Sequence, residues 1–267
     1  MVLLTGYNSF IGKYLQAQLS KTQEVRELPW ELLYNFDKLR NFICEIKPEM
    51  IFHLASWGNK YDQQNEKKIF EANLKGTFNL LEASKSVKYK ALINFSSSST
   101  LLPYETFYSA TKGGAERLCS AFVNKYKKPV VSVRPASIYG KGDHPEHFIP
   151  SIIKAFKEKL EYSVAPGFHD WLWVEDLVAG VIKVAENAEK LKGQSINISS
   201  GISSSNYTIL AILQDIFQTH GYIKRIGQIR EYDTDRWEVD NTILKSLGWR
   251  PQIDLEEGLE KLVYDKE

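Results

Sequence analysis

Val2-Leu3-Leu4-Thr5-Gly6-Tyr7-Asn8-Ser9-Phe10-Ile11-Gly12 begins as an apolar run and passes through a hydroxyl into two glycines six residues apart. The run has the length of a strand, and the residues after it open a helix. Glycine at such a turn permits tight backbone geometry. The helix N-terminus offers unpaired N–H groups and the positive end of its dipole, which suits a pyrophosphate. With 16 glycines in the chain the spacing also arises by chance, so its place directly behind the first strand is what gives it meaning. Gly6, Asn8, Ser9, Phe10, Ile11 and Gly12 are therefore candidate contacts of a dinucleotide.

Further brief apolar runs occur at Val25–Leu28, Met50–Leu54, Ala91–Phe95 and Val130–Val133. Between them Phe70, Leu74, Phe78 and Leu81 recur every three or four residues, which predicts one buried helix face. Strands alternating with helices imply crossovers, hence an α/β fold with a mostly parallel, doubly wound sheet covered on both faces. Ligands of such sheets bind beyond the carboxyl ends of the strands. After Pro135 the rhythm changes. A Gly/His/Pro-rich stretch, 140–150, leads to a helix with Phe148, Ile152, Phe156 and Leu160 on one face. Residues 174–192 read as a helix, and Ser195–Ile198 as a strand returning to the sheet. The expected division assigns 1–138 and 170–198 to a dinucleotide-binding domain, and 139–169 and 199–267 to a smaller mixed lobe.

The 267 residues carry 34 Lys+Arg and 33 Asp+Glu, a net charge of +1. Such balance excludes the basic surface that nucleic acid or an anionic membrane demands. Two cysteines, Cys44 and Cys119, are too few for a disulfide framework and point to thiols in a reducing compartment. No run of 18 apolar residues exists, and the N-terminus lacks the features of a signal peptide, so a cytoplasmic location is expected. His144-Pro145-Glu146-His147 lacks a third ligand, so no metal is expected.

Tyr108-Ser109-Ala110-Thr111-Lys112 sets a phenol and an ammonium four apart on a helix face. A phenol titrates near 10, and a neighbouring cation favours phenolate and draws that value down. The pair follows a strand ending in hydroxyls, Phe95-Ser96-Ser97-Ser98-Ser99-Thr100. A second such pair, Tyr34–Lys38, has no hydroxyl-rich neighbour. About 20 residues beyond the first glycine, such folds read the adenosine ribose with an acid for a free 2′-hydroxyl or Arg for a 2′-phosphate. Arg26-Glu27 carries both signals.

Several segments share one pattern. Residues 5–12 resemble T-G-x-x-G-F-I-G, with Ser9 in place of the middle glycine. His53-Leu54-Ala55-Ser56 resembles H-x-A-[AS], Asn73–Thr77 resembles N-x-x-G-T, and Arg134–Gly140 resembles R-x-x-x-[VI]-Y-G. Residues 167–176 follow G-x-x-R-D-[FY]-x-x-V-x-D, with His169 where Arg is usual. Arg230–Asp233 resembles R-x-G-D, and Leu247–Leu259 resembles the L-G-W-x-P…L-x-x-G-[LI] ending. The chain thus resembles the extended short-chain dehydrogenase/reductase family of nucleotide-sugar epimerases, dehydratases and reductases, along essentially its whole length.

That resemblance implies a Rossmann-type sheet with a substrate lobe, and an NAD(P)(H) cofactor that Arg26 inclines toward NADP(H). It implies that Tyr108 exchanges a proton with the substrate while Lys112 holds the nicotinamide ribose. Ser98 would polarise the substrate carbonyl, with Ser97 as the fallback. Leu54, Ala55, Ser56 and Pro135 would line the cofactor, and Asn73 would brace the strands beside it. His53 is either a satisfied strand-end histidine or a contact. Trp57, Ser97, Ser98, His169 and Arg230 would meet a nucleotide-sugar substrate, and Arg236 or Lys141 would compensate for the arginine missing at 169. Homodimers in the family form through helices corresponding to 66–87 and 108–127.

The expected activity is reduction of a keto group on a nucleotide-linked deoxysugar. Ten residues separate Ser98 from Tyr108, fewer than usual, which with the altered glycine turn fits a cofactor exchanged at every turnover. A 4,6-dehydratase would need an acidic pair where Ser99 and Thr100 stand. A 4-epimerase that returns the hydride remains the alternative, since it needs only Ser98, Tyr108 and Lys112. A non-catalytic dinucleotide sensor is the second alternative, favoured by Ser9 and His169 and opposed by the intact trio.

Overall fold

The computed structural model describes residues 1–60, 62–219, 223–224 and 236–264. Its first elements are β1 (Val2–Thr5), α1 (Phe10–Leu19), β2 (Val25–Glu27), α2 (Phe36–Ile46) and β3 (Met50–His53). Next, α3 (Glu66–Phe70) runs through a π-helical turn at Glu71–Lys75 into α4 (Gly76–Ser84). Then come β4 (Ala91–Phe95), α5 (Phe107–Tyr126), β5 (Val130–Pro135), β6 (Ser137–Tyr139) and α6 (Phe148–Glu158). β7 (Tyr162–Ser163), β8 (Phe168–Trp173), α7 (Val174–Glu186), α8 (Ala188–Leu191) and β9 (Ser195–Ile198) are next in order. The described chain closes with β10 (Ser203–Ser205), α9 (Asn206–Phe217), β11 (Ile223–Lys224), α10 (Thr242–Ser246) and α11 (Leu255–Tyr264).

Six strands form the main sheet in the order β2-β1-β3-β4-β5-β9. β1 pairs in parallel with β2 and β3, β3 with β4, and β4 with β5. Every residue of β1 and β4 is buried, as a sheet covered on both faces requires. The chain leaves β1 toward β2 and returns to β3 on its other side, so strand order reverses between β1 and β3. Helices start where short polar side chains cap them. Ser9 Oγ accepts from Gly12 N at 3.1 Å, Asn35 caps α2, and Thr106 with Ser109 forms a reciprocal box on α5. α2 and α5 end at Lys47 and Lys127 in the left-handed region, with φ of 47° and 56°.

The chain divides into two compact units, Met1–Pro135 with Val178–Asn197, and Ala136–Leu177 with Ile198–Glu267. This differs from the sequence expectation at 136–138, 170–177 and 198. β8 pairs with β6 in parallel and with β10 antiparallel, in a three-stranded sheet of its own, and so draws its residues into the second unit. The first unit packs Leu3, Ile51, Leu92, Leu39, Ile43, Leu80 and Phe122 into one core. The second gathers Tyr139, Ile152, Phe156, Trp173, Leu210 and Leu259.

Two helix-face expectations hold only in part: Leu81, Ile152 and Phe156 are buried, while Phe70, Phe78 and Leu160 are not. Phe70 and Phe78 are 49% and 47% exposed, while Ile69, Ala72, Asn73, Thr77 and Leu80 turn inward. The buried positions keep a helical spacing of their own, one residue off the apolar stripe, and include the small and polar Ala72, Asn73, Gly76 and Thr77. Leu74 meets α5 at Gly114, where a β-carbon would lie 3.0 Å from its Cδ1. Leu160 lies beyond the end of α6, which Lys159 stops with φ of 56°, and it is 47% exposed. Both cysteines are free, Cys119 buried and Cys44 half-buried. Among the described residues no helix is long and apolar enough to cross a membrane.

Asp170 of β8 is fully buried and organises the second unit. Its Oδ1 accepts from Ser200 N and Oγ at 2.8 and 2.7 Å, and its Oδ2 accepts from Gly201 N at 3.0 Å and Val239 N at 3.3 Å. Asp170→Ala leaves those donors buried and unpaired, and the expected loss is about 3 kcal/mol. A lowered urea midpoint at unchanged slope checks it.

Candidate active site

Gly6 stands at the strand-order reversal with φ of +67°, and a β-carbon on it would meet Leu54 Cβ and Ala55 N at 3.2 Å. The β1–α1 turn and the segment after β3 therefore lie against each other. At Gly12 a β-carbon would sit 2.1 Å from Gly6 O, so glycine is obligatory there. Ser9 is different. Its φ of −71° and ψ of 165° are ordinary extended backbone, which needs no glycine. Its hydroxyl caps α1 and keeps its own proton to donate. The N–H groups of Phe10 and Ile11, in the first turn of α1, have no intrahelical acceptor. Those N–H groups and the dipole end make a cradle that fits a dinucleotide pyrophosphate. Asn8 and Ser56 are exposed, Leu54 and Ala55 half-buried, and Pro135 is buried at the end of β5.

Behind this turn runs a chain of buried hydrogen bonds whose directions fix one another. Thr77 Oγ1 donates to Asn73 O at 2.7 Å, so the 3.0 Å bond between Thr77 Oγ1 and His53 Nε2 has the imidazole as donor. Burial, helped by the Lys112 charge, pushes the His53 pKa down to about 3, so the ring is neutral. Its Nδ1 then accepts from Thr5 Oγ1 at 2.9 Å, and Thr5 Oγ1 in turn accepts from Ala55 N at 3.0 Å. His53 is thus a satisfied strand-end histidine bracing the segment beneath the cradle. Asn73 does the same for the next loop. Its Oδ1 accepts from Trp57 N at 2.8 Å, and its Nδ2 donates to Trp57 O at 2.9 Å and Thr111 Oγ1 at 3.1 Å. Those bonds engage its amide as a brace between that loop and α5.

α5 carries Tyr108 and Lys112 one turn apart. Lys112 is buried, and its Nζ donates to Phe95 O, the last carbonyl of β4, at 2.6 Å. Nζ lies 5.8 Å from the Tyr108 ring centroid. The Tyr108 pKa goes the opposite way from the expectation. Burial pushes it up to about 12, opposed by a hydrogen bond with the Ser97 side chain. Desolvation outweighs the cation. The same effect draws Lys112 down to about 8 against the pull of Glu116. The hydroxyl that acts on the phenol's pKa is that of Ser97. Ser98, one residue on, is buried at the start of the 3-10 turn Ser98–Leu101. The other Tyr–Lys pair is broken, with Tyr34 ending a 3-10 turn and Lys38 lying in α2.

Sequence reading missed Gly58, which presses on the site. With φ of +98°, a β-carbon there would lie 2.9 Å from Ile69 Cγ1 and 3.4 Å from Tyr108 Cδ2. It assigned no role to Thr5, Thr77, Thr111, Glu116 or Arg134, although Thr5, Thr77 and Arg134 stand at the ends of the motif segments 5–12, 73–77 and 134–140, and Glu116 lies four residues past Lys112. Arg26 and Glu27 are both exposed at the end of β2, with the Arg26 guanidinium 5.4 Å above the Phe42 ring. Trp57 carries Lys68 Nζ 5.4 Å over its ring, and its indole N–H is buried without an acceptor among the described residues.

In the second unit His169 lies between Trp171 and Trp237, ring centroids 5.1 and 5.0 Å away, with Nδ1 3.1 Å from Ser137 Oγ. Nearby, Phe168, Gly201, Ile202, Ser203, Arg236 and Glu238 line a cavity of about 420 Å³. Arg236 pairs with Glu238 at 2.5 Å on its rim. Arg230 lies outside the described residues.

The profile of a family described as the NAD dependent epimerase/dehydratase family matches residues 2–199. CDP-glucose 4,6-dehydratase of Salmonella typhimurium is 32% identical over 269 residues, covering 86% of this chain and 73% of the dehydratase. CDP-abequose synthase of the same organism is 25% identical over 294 residues, 98% and 97% of the two chains. Among solved structures, UDP-glucose 4-epimerase of Thermus thermophilus in complex with NAD superposes with a TM-score of 0.85 at 20% identity, covering 98% of this chain and 97% of the other.

The cradle makes a separable prediction. Ser9→Asp keeps an N-cap of equal rank but sets an anion beside the pyrophosphate. NAD(P)H affinity should fall roughly tenfold or more, the effect of about 1.4 kcal/mol of repulsion, with the melting temperature unchanged. Fluorescence titration and a thermal scan read the two.

Proposed function

The chain belongs to the NAD dependent epimerase/dehydratase family, and from that premise we propose that it is an NAD(P)H-dependent reductase of a keto group on a nucleotide-linked sugar. A nicotinamide dinucleotide, when bound, supplies the hydride. The chain's own work is to orient the substrate oxygen and deliver a proton to it. The carrying observation is the Tyr108–Lys112 pair one turn apart on α5, with Nζ 5.8 Å from the phenol ring, and the burial that pushes the Tyr108 pKa up supports its use as a proton donor. A phenol of that kind arrives with its proton and yields it as negative charge grows on the substrate oxygen. Epimerisation by hydride return must begin by removing a proton, and for that Tyr108 is poorly prepared.

Ser97 is the hydroxyl we assign to share the substrate oxygen with Tyr108. Its side chain is the one that works against burial on the Tyr108 pKa, which supports it over Ser98. Lys112 is charged through neutral pH and adds a positive field at the strand end. A nucleotide-sugar substrate is supported by the dehydratase and synthase relatives, both named for CDP-linked sugars. His169, flanked by two tryptophans, would grip a diphosphate less firmly than the usual guanidinium. The buried indole N–H of Trp57 offers a donor to a sugar hydroxyl. Arg26, exposed at the end of β2, is assigned to an NADP(H) 2′-phosphate.

A panel of nucleotide-linked 4-keto-6-deoxysugars, followed by NADH and NADPH absorbance, tests this reading. Stoichiometric cofactor loss, faster with NADPH, is the expected result. Product without net cofactor change identifies an epimerase, and binding without turnover a sensor. Tyr108→Phe should cut kcat roughly 10²–10⁴-fold while leaving cofactor affinity nearly unchanged. For the homodimer, exposed Phe70 and Phe78 supply the apolar surface, and Phe78→Glu should shift sedimentation from dimer to monomer.

A further inference from the structure

Glu116 lies one turn beyond Lys112 on the same face of α5 and is 8% exposed. A carboxylate that deep needs partners. Arg134, near the end of β5, grips both its oxygens, Nε to Oε1 at 2.8 Å and Nη2 to Oε2 at 2.5 Å. Ser195 Oγ, at the start of β9, donates to Oε2 at 3.1 Å. Thr100 Oγ1 donates to Ser97 O at 2.8 Å and lies 3.5 Å from Glu116 Oε1. One carboxylate therefore joins the helix bearing Tyr108 and Lys112, two strands of the sheet, and the turn bearing Ser97.

We propose that Glu116, clamped by Arg134, is the positioning residue of the Tyr108–Lys112 pair: it locks α5 against the strands and sets one negative charge between two cations. The proposal rests on the reading that Tyr108 and Lys112 perform the chemistry. Among the described residues, the titratable groups facing Lys112 are Tyr108 and Glu116 on its own helix and neutral His53 from β3. Arg134 contacts the same carboxylate from β5. Removing the carboxylate leaves the ammonium facing a guanidinium. Removing the guanidinium leaves the carboxylate to the ammonium alone. The two changes must move the Lys112 titration in opposite directions, whereas loss of a purely structural clamp moves both alike.

The experiment is a ¹³C-lysine NMR titration of the full chain without ligand, the Lys112 signal being the one absent from Lys112→Arg. In Glu116→Gln the Lys112 midpoint should fall by about one pH unit, and in Arg134→Gln it should rise by a comparable amount. Midpoints that stay put, or shift the same way, overturn the proposal. Where Glu116→Gln does not fold, Arg134→Gln decides alone: a rise supports the proposal, and no change or a fall overturns it. NADPH titrated into the same samples by fluorescence keeps the two readings apart. Opposed shifts in a chain that binds no dinucleotide would sink the proposed function and leave the Glu116 coupling standing. A wild-type chain that binds NADPH but whose variants show no opposed shifts would sink the coupling alone.

Discussion

An ammonium group taken out of water and tied to the last carbonyl of a central strand is the constraint on which this site depends. Lys112 is buried, its Nζ bonded to Phe95 O. Desolvating a cation is costly, and a single carbonyl dipole offsets little of that cost. The carboxylate one turn away offsets part of the rest, and burial still draws the Lys112 pKa down to about 8. Because Phe95 ends β4 and starts the serine turn, the same contact sets the helix against both strand and turn. Tyr108 inherits its place from that geometry.

The six-stranded sheet was readable because its strands are buried on both faces. A run such as Ala91–Phe95 is then apolar throughout and bounded by polar residues, and its parallel order comes from the intervening helices. Two features escaped. Phe70 and Phe78 share a helical stripe with Leu74 and Leu81, but the buried face runs through Ile69, Ala72, Asn73, Thr77 and Leu80, whose small and polar members hide it from an apolar count. The boundary between units escaped because it rests on β8 pairing with β6 and β10, partners distant in sequence.

At the site, legibility tracked locality. The glycine turn and the Tyr108–Lys112 pair are each contained within one helical turn or so, and their spacing announced them. The protonation of Tyr108 could not be had from spacing, because proximity to a cation is written in the sequence and loss of solvent is not. Choosing Ser97 or Ser98 depends on the backbone angle at which the chain enters a 3-10 turn. His53 was left open between brace and contact, and its two threonine partners, Thr5 and Thr77, come from opposite directions along the chain. Arg134 and Ser195 reach Glu116 from strands far from α5 in sequence, which is why nothing near Lys112 hinted at them.

The division of the chain has a consequence for biosynthesis. The polypeptide leaves the first unit at Pro135, makes all of β6 to β8, and only then returns to supply β9 beside β5. On the ribosome, β5 therefore waits with one row of peptide groups unpaired until Ser195–Ile198 has emerged. During that interval the nascent sheet has a sticky border, the kind of border that recruits stray strands. A message truncated between those points encodes the glycine turn and Tyr108 but not the strand that borders β5.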